Sequence, residues 1–162
     1  MEEKNNLLHE VAITAIVKKD GKYLISKRSM QKKRFPGMWT VPGGNLEMKD
    51  YINLPKDTSA HWYNVLEKVL RREVKEETGL EIKNIGYITS MTFMKGESPM
   101  LIISLFAEHL NGEVKLNEES IGHAWVSLEE AKNYELIEGI YEELVMLDNL
   151  LKKGNINEWR KI

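Results

Sequence analysis

The 162-residue sequence contains no cysteine and no long apolar segment. The absence of cysteine excludes disulfide bonds, thiol nucleophiles and thiolate metal sites, and it is compatible with the reducing cytoplasm, where we expect the protein to act. The longest apolar run, Met100 to Ala107, is far shorter than the roughly 20 residues that a membrane-spanning helix needs. Residues 1–6 lack the apolar core of a signal peptide. We therefore expect no membrane association.

The sequence also lacks a marked charge of either sign, because the formal net charge is only −2. A broad basic surface is what bulk binding to nucleic acid requires, so this class of function is excluded as the main one. Hydrophobic residues make up 42% of the chain, which is enough for a core. The length is typical of one domain, and the sequence shows no repeat or interdomain linker. We therefore predict a single domain over residues 1–162.

A helical pattern from about Ser59 to Thr78 has one apolar side. The apolar side is formed by Trp62, Leu66, Val69 and Leu70. The opposite side is basic, with Lys68, Arg71 and Lys75. Asp57-Thr58-Ser59 offers several N-cap residues for this helix. Glu73 and Glu77 continue the apolar side, so the pattern predicts a helix whose core-facing side becomes acidic in its last two turns.

The acidic cluster Glu73, Glu76 and Glu77 has two interpretations. Its i, i+3, i+4 spacing puts the three carboxylates on one side of the helix, where they repel one another. A solvated acidic face is the simpler interpretation. Inward carboxylates are costly unless they are paired or bound to a cation, and oxygen ligands suit Mg²⁺ or Mn²⁺. Arg72 can pair with Glu76 four residues later, and Gly79 fits the left-handed residue that ends a helix.

The segment Arg72 to Leu80 resembles the second half of the Nudix hydrolase signature, Arg-Glu-aliphatic-x-Glu-Glu-x-Gly-aliphatic, at every specified position. Gly37 to Gly44 resembles the strand and the Gly-Gly turn that open this signature, and the whole resemblance covers roughly Val11 to Leu128. The resemblance implies an α/β fold, the Nudix α/β/α sandwich with a mixed β-sheet. It also implies a small-molecule nucleotide substrate, hydrolysed at the pyrophosphate bond of a nucleoside triphosphate or of a nucleoside diphosphate linked to another group.

The same resemblance implies roles for individual residues. The implied ligands of Mg²⁺ or Mn²⁺ are Glu73, Glu76, Glu77 and the carbonyl group of Gly43. The candidate catalytic residues are Glu76, Glu119 and Arg72. The candidate substrate-binding residues are Arg28, Trp39 and Gly44. Glu119 lies where the family often places a loop carboxylate that activates water, but Glu118 and the glutamates of the signature remain alternatives for this base.

The sequence departs from the family pattern between Asp50, which replaces the usual first glutamate, and Arg72. These two residues are separated by 21 residues, 14 more than in the pattern. The insert, residues 51–64, leaves open whether Asp50 still pairs with Arg72. We predict that Trp62 packs in the core. The other aromatic residues could cover a substrate base or form the interface of a homodimer.

Outside the signature, strands and turns alternate with one more long helix. We predict a strand at Val11 to Val17, a turn at Pro42 to Gly44, a long hairpin from Ile82 to His109 and an amphipathic helix from about residue 136 to residue 153. The basic loop Gln31 to Arg34 could be merely solvated or could attract a polyphosphate.

Two further classes of function remain open. One is a non-catalytic Nudix-fold module that binds or senses a nucleotide. The other is an interaction scaffold built on the insert.

Overall fold

A computed structural model describes residues 6–155 and 157–162, and in this part of the chain seven strands form one mixed sheet. The strands are β1 (Glu10–Lys19), β2 (Lys22–Arg28), β3 (Trp39–Thr40), β4 (Gly43–Asn45), β5 (Glu81–Lys95), β6 (Ser98–Asn111) and β7 (Ser120–Val126). The helices are α1 (Val65–Thr78), α2 (Leu128–Ala131) and α3 (Ile140–Lys153), and a 3-10 turn spans Met48–Asp50. Within the described ranges, no helix is both long and apolar enough to cross a membrane.

Strand β1 is the centre of the sheet, in the order β3-β2-β1-β6-β5. It runs parallel to β6 from Glu10 to Lys18, and the other pairings are antiparallel. On its other side β1 pairs with β4 at Ala12 to Thr14 and with β2 only at Lys18 and Lys19. Beyond these two residues β1 and β2 diverge. Strand β4 then takes the place of β2 beside β1.

Each face of the sheet has its own apolar core, as the alternation of side chains along a strand requires. On one face Ile13, Ala15 and Val17 of β1 pack with the buried residues of α1, and the other face carries Ile16 with the buried residues of α3. The buried residues of these two helices are Val69, Leu70 and Val74 in α1 and Ile140, Leu144, Met146 and Leu147 in α3. The predicted sandwich of a mixed sheet between helices is confirmed.

The predicted start of the long helix at Ser59 is wrong, because α1 begins at Val65. The cap-forming side chains before it close a turn instead: Asp57 Oδ2 accepts the Tyr63 N–H at 2.8 Å, and Thr58 Oγ1 accepts the His61 N–H at 3.0 Å. Short polar side chains that bond to nearby backbone groups in this way compete with the helix. The end of the helix is as predicted, since Gly79 has φ of 75° and its N–H donates to the Lys75 carbonyl.

The prediction that Trp62 packs in the core is also wrong. Its indole N–H donates to the Leu54 carbonyl at 2.9 Å, and its ring packs on Tyr51 with 5.4 Å between the ring centroids. The ammonium group of Lys56 lies 5.1 Å from the centroid of the same indole ring. The insert is therefore an ordered surface segment whose contacts are largely internal, and its tryptophan stabilises the segment rather than the core.

The last helix begins later than predicted. Leu136 and Ile137 do not start α3, because they pair with Trp39: the Ile137 N–H donates to the Trp39 carbonyl at 2.9 Å. Gly139, with φ of 97°, then turns the chain into the helix, which ends at Lys153 as predicted, before Gly154. The first apolar residues of the helical pattern therefore pair with β3 instead of forming the first turn of α3.

A buried carboxyl group on α3 is expected to make the stability of the protein depend on pH. Glu143 is 3% exposed, and burial first of all, with the charge of Glu142, raises its pKa from 4.5 to about 7, although a hydrogen bond from Ser104 lowers it. The Ser104 hydroxyl in turn accepts a hydrogen bond from Thr14 at 3.1 Å. Because the folded protein holds the proton more tightly than the unfolded chain, the stabilisation is complete below about pH 4.5 and is lost as the pH rises to about 7.

Glu143→Gln should therefore flatten this part of the pH profile of unfolding free energy. Relative to the wild type, we expect the variant to gain on the order of 3 kcal/mol between pH 4.5 and pH 8. Denaturant unfolding across this range measures the difference, with Glu142→Gln as the control for loss of a neighbouring charge. Parallel profiles for wild type and Glu143→Gln would contradict the assignment.

Candidate active site

The two glycines at the start of the signature lie in a strand, so the predicted turn at Pro42 to Gly44 is wrong. Gly43 pairs with Thr14 and Gly44 with Ile13 in the β1–β4 ladder. A Cβ atom at Gly43 would lie 2.4 Å from the Ile13 carbonyl oxygen, and one at Gly44 would lie 2.2 Å from the carboxyl carbon of Glu73. Both distances are shorter than any real contact. Glycine is therefore needed at Gly43, where the neighbour is backbone, whereas a side chain at Gly44 would displace the Glu73 carboxylate from β4.

The glutamates of the α1 cluster differ in how far they are exposed to solvent. Only 14% of the Glu73 side chain is exposed, whereas 56% of the Glu76 side chain is exposed. Glu77 is half-buried, and burial together with the charges of Glu119 and Glu73 raises its pKa from 4.5 to about 8. A backbone hydrogen bond with Gly43 and the charge of Lys32 act in the opposite direction. The helix thus directs Glu73 and Glu77 inward, as the sequence predicts, and Glu76 towards solvent.

Arg72 connects the acidic residues on its side of the helix. Its guanidinium group lies 2.9 Å from Asp50 Oδ1, 2.9 Å from Glu73 Oε1 and 3.1 Å from Glu76 Oε2. The Asp50 side chain is 5% exposed, and its other oxygen accepts the Glu47 N–H at 2.8 Å. Asp50 therefore pairs with Arg72 despite the 14 extra residues between them, because the insert folds on itself and returns the chain to α1.

The loop before β7 brings a further carboxylate to the site. Glu119 lies close enough for its charge to raise the pKa of both Glu73 and Glu77, and its Oε1 accepts a hydrogen bond from Lys32 Nζ at 2.5 Å within an ion pair. Glu118 is exposed, and none of the ion pairs found in the described residues includes it. Of the two loop acids, Glu119 is the one whose charge acts on Glu73 and Glu77, and its role as the water-activating base stays a prediction.

The predicted substrate-binding residues do not all lie together. Gly44 contacts the Glu73 carboxylate, whereas Arg28 donates from Nε to the Arg34 carbonyl at 3.0 Å and so supports the basic loop. The Trp39 ring packs edge-on against Tyr134 with 4.8 Å between centroids, at the core of the α3 face. The roles of Arg28, Trp39 and Gly44 in substrate binding stay predictions. Sequence reasoning did not single out Lys32 within its loop, although the run of basic residues there was a signal.

The residues of this site suit a hard divalent cation. Among residues 6–155 and 157–162, no three carboxylate or imidazole groups converge tightly enough to form a ready-made metal cage. The acids are instead held by cations, Glu73 and Glu76 by Arg72 and Glu119 by Lys32. The donors are carboxylate oxygens, and burial disfavours the charge on Glu73 and Glu77. A divalent cation would compensate that charge, so the donor set and its electrostatics fit such an ion.

Comparison with known proteins decides the family. The family profile of the NUDIX domain matches residues 8–146. The chain belongs to the Nudix family. A nucleoside triphosphatase of Escherichia coli K12, NudI, is 30% identical over 136 residues, which cover 76% of this chain and 86% of NudI. The predicted resemblance is therefore confirmed, and this Nudix protein is an enzyme of the pyrophosphohydrolase class.

Solved structures show the same Nudix fold. A MutT protein from Methanosarcina mazei superposes with a TM-score of 0.67 and 26% identity, covering 90% of this chain and 96% of the other. A Nudix hydrolase from Alicyclobacillus acidocaldarius gives a TM-score of 0.69 at 13% identity and covers 93% of this chain and 99% of the other. The mixed sheet between helices is thus the Nudix sandwich, and Nudix hydrolases generally use a divalent metal ion.

Proposed function

We propose that this Nudix hydrolase cleaves the pyrophosphate bond of a nucleoside triphosphate, releasing a nucleoside monophosphate and pyrophosphate, and that it requires Mg²⁺ or Mn²⁺. The similarity to NudI, which is named as a nucleoside triphosphatase, supports this substrate class. A nucleoside diphosphate linked to another group is the second candidate, because the residues of the signature contact phosphates and metal and do not select the remainder of the substrate.

The observation that carries the proposal is that Glu73, Glu77 and Glu119 lie within reach of one another's charge, with Glu73 against Gly44 and Glu77 hydrogen-bonded to the backbone of Gly43. Burial first of all, and then repulsion by Glu119 and Glu73, raises the pKa of Glu77 to about 8. Burying a carboxylate costs free energy, and an acidic surface that is merely solvated does not require it. Here the Glu73 carboxylate nevertheless lies against the backbone of Gly44. Strongly perturbed carboxyl groups beside a close backbone approach are typical of functional sites.

Each residue of the site has a part in the proposed mechanism. When bound, a divalent cation would neutralise phosphate charge and lower the pKa of a water molecule. Glu73, Glu76, Glu77 and the Gly43 carbonyl are the residues that would hold it. Arg72 fixes the carboxylates of Glu73 and Glu76, and Glu119 accepts the proton of the attacking water at a carboxylate oxygen.

A substrate screen tests the proposal directly. Nucleoside triphosphates, nucleotide sugars, ADP-ribose and dinucleotides are each incubated with Mg²⁺ or Mn²⁺, and the released phosphate species are identified. We expect nucleoside triphosphates to give a monophosphate and pyrophosphate. Turnover confined to diphosphate-linked compounds would favour the second candidate. Nucleotide binding without turnover of any compound would leave only the non-catalytic module.

The insert is expected to affect substrate choice and not the chemical step. Deletion of residues 52–56 removes the Leu54 carbonyl and the Lys56 ammonium group that hold Trp62, while Asp50 and Arg72 remain. We expect a higher KM or a relaxed specificity, with the requirement for a divalent ion unchanged. Steady-state kinetics on the substrates found in the screen measure both quantities.

Two controls separate the interpretations of this deletion. Trp62→Phe removes the indole N–H that binds Leu54 but keeps the chain length, so it reports the effect of loosening the insert alone. The molecular mass in solution is measured for each variant. If the deletion leaves every KM unchanged and converts a dimer into monomers, the insert is an interface and does not cover the substrate.

A further inference from the structure

Among the described residues, two basic side chains pair with the carboxylates of the active site, and they differ in the number of acids that they contact. Arg72 belongs to α1 and is shared by three acids, Asp50, Glu73 and Glu76. Lys32 belongs to the loop between β2 and β3, and its Nζ forms a single 2.5 Å ion pair, with Glu119. An anion that enters the site could displace one carboxylate from Lys32, whereas at Arg72 it would have to compete with three.

The backbone around Lys32 fixes this side chain at the site. The Ser29 N–H donates to the Glu119 carbonyl at 2.9 Å, and the Lys32 N–H donates to the Ser29 carbonyl at 3.2 Å. The Gln31 N–H donates to the Ser29 hydroxyl at 3.2 Å, which closes the turn. The basic loop is thus attached through its backbone to the loop that carries Glu119. Its attachment does not depend on the ion pair between the two side chains.

The position of Lys32 also suits a ligand that comes from solvent. Its side chain is 31% exposed and that of Glu119 is 43% exposed, so an anion can reach both. The positive charge of Lys32 also acts on Glu77, whose pKa it lowers against the effect of burial. A partly exposed ammonium group whose charge reaches Glu77 is thus available to a phosphate group beside the inward carboxylates.

We propose that Lys32 is a phosphate-binding residue, which exchanges its ion pair with Glu119 for one with the phosphate chain of the substrate. This inference rests on the proposed function, in which the substrate is a polyphosphate and Glu119 is the base. A phosphate chain carries more negative charge than one carboxylate and offers more acceptor oxygens, so it competes favourably for the ammonium group. The exchange frees the Glu119 Oε1 oxygen, which the ion pair with Lys32 occupies, for a contact with the attacking water. Substrate binding and release of the base are then one event.

Binding of a non-hydrolysable phosphate compound tests Lys32 without turnover. The probe is methylenediphosphonate, titrated calorimetrically into the protein at low ionic strength in excess chelator, so that no divalent ion contributes. We expect Lys32→Met to raise its Kd by about tenfold, as for loss of one charge-assisted contact. Lys33→Met is the matched control, because Lys33 is an exposed neighbour that takes part in none of the ion pairs found in the described residues. Lys32→Arg should retain binding to within about threefold, since the charge is kept.

Glu119→Gln distinguishes the exchange from a merely structural ion pair. If Lys32 releases Glu119 to bind phosphate, this variant removes a competitor and a repelling charge, so it should bind the probe at least as tightly as the wild type. If the ion pair only holds the loop in place, Glu119→Gln should weaken binding as much as Lys32→Met does. That result would overturn the proposal, as would equal Kd values for Lys32→Met and Lys33→Met or an absence of binding by the wild type.

Failure of this inference is separate from failure of the proposed function. The substrate screen can find turnover while Lys32→Met binds the probe normally, which rejects the role of Lys32 alone. A screen without turnover rejects the hydrolase proposal. The binding measurement still shows whether Lys32 contacts a phosphate compound. Thermal unfolding of each variant confirms that the compared proteins are folded.

Discussion

Replacement of Glu77 by glutamine is expected to lower kcat by at least about 10²-fold, the loss typical of a residue that holds a catalytic metal ion. Glu77 is half-buried between Gly43 and Glu119, and the amide of glutamine cannot supply its charge. Glu76→Gln is expected to have an effect of the same size, because Glu76 is also a proposed ligand of the metal ion and is oriented by Arg72. Steady-state kinetics with the best substrate of the screen measure both variants.

The fold should survive both substitutions. The side chain of Glu76 is 56% exposed, and replacement of Glu77 removes repulsion from Glu73 and Glu119. Circular dichroism and thermal unfolding check this point. Glu67→Gln, in the first turn of the same helix, is the control for a charge change outside the site. Near-normal turnover in both Glu76→Gln and Glu77→Gln would mean that the cluster is a solvated acidic face after all.

Chelation of divalent ions is expected to abolish turnover completely. The site offers carboxylate oxygens, and the sequence has no cysteine that could hold a softer ion. Without a cation the phosphate chain and the acids of α1 repel each other, so substrate binding is weakened and activation of water is lost. The measurement is the initial rate in excess chelator, followed by addition of Mg²⁺ or Mn²⁺ above the chelator concentration.

A second readout makes this prediction independent of the substrate. An ion that binds only the folded protein raises the free energy of unfolding, so Mg²⁺ or Mn²⁺ should raise the melting temperature. Glu77→Gln should reduce this increase, because one candidate ligand loses its charge. Full activity in excess chelator would rule out the metal assignment, whatever the effect of the ion on stability.

Local patterns in the sequence were sufficient for much of the site. The spacing of Glu73, Glu76 and Glu77 is internal to one helix, so the period of the helix fixed which carboxylates face inward. Gly79 ends that helix because the left-handed conformation required there, with φ of 75°, strongly favours glycine. The single-domain assignment of residues 1–162 and the roles of the individual site residues stay predictions.

Predictions failed where a segment distant in the sequence forms backbone hydrogen bonds with the residues concerned. Leu136 and Ile137 fit a helical pattern, but they pair with Trp39, almost 100 residues earlier in the chain. Gly43 and Gly44 have the composition of a turn, but a neighbouring strand makes them part of a ladder. Local propensity is weaker than a set of backbone hydrogen bonds completed by another segment.

The sequence alone determined the Nudix signature, the acidic side of α1 and the class of cation that this side suits, because these depend on residue type and helical period. Only the tertiary structure decided that Asp50 pairs with Arg72 across the insert, that the charge of Glu119 acts on Glu77, and that Lys32 pairs with Glu119. Each of these contacts joins separate segments of the chain. Their geometry depends on how β1, β4 and α1 pack together, and no local pattern encodes that packing.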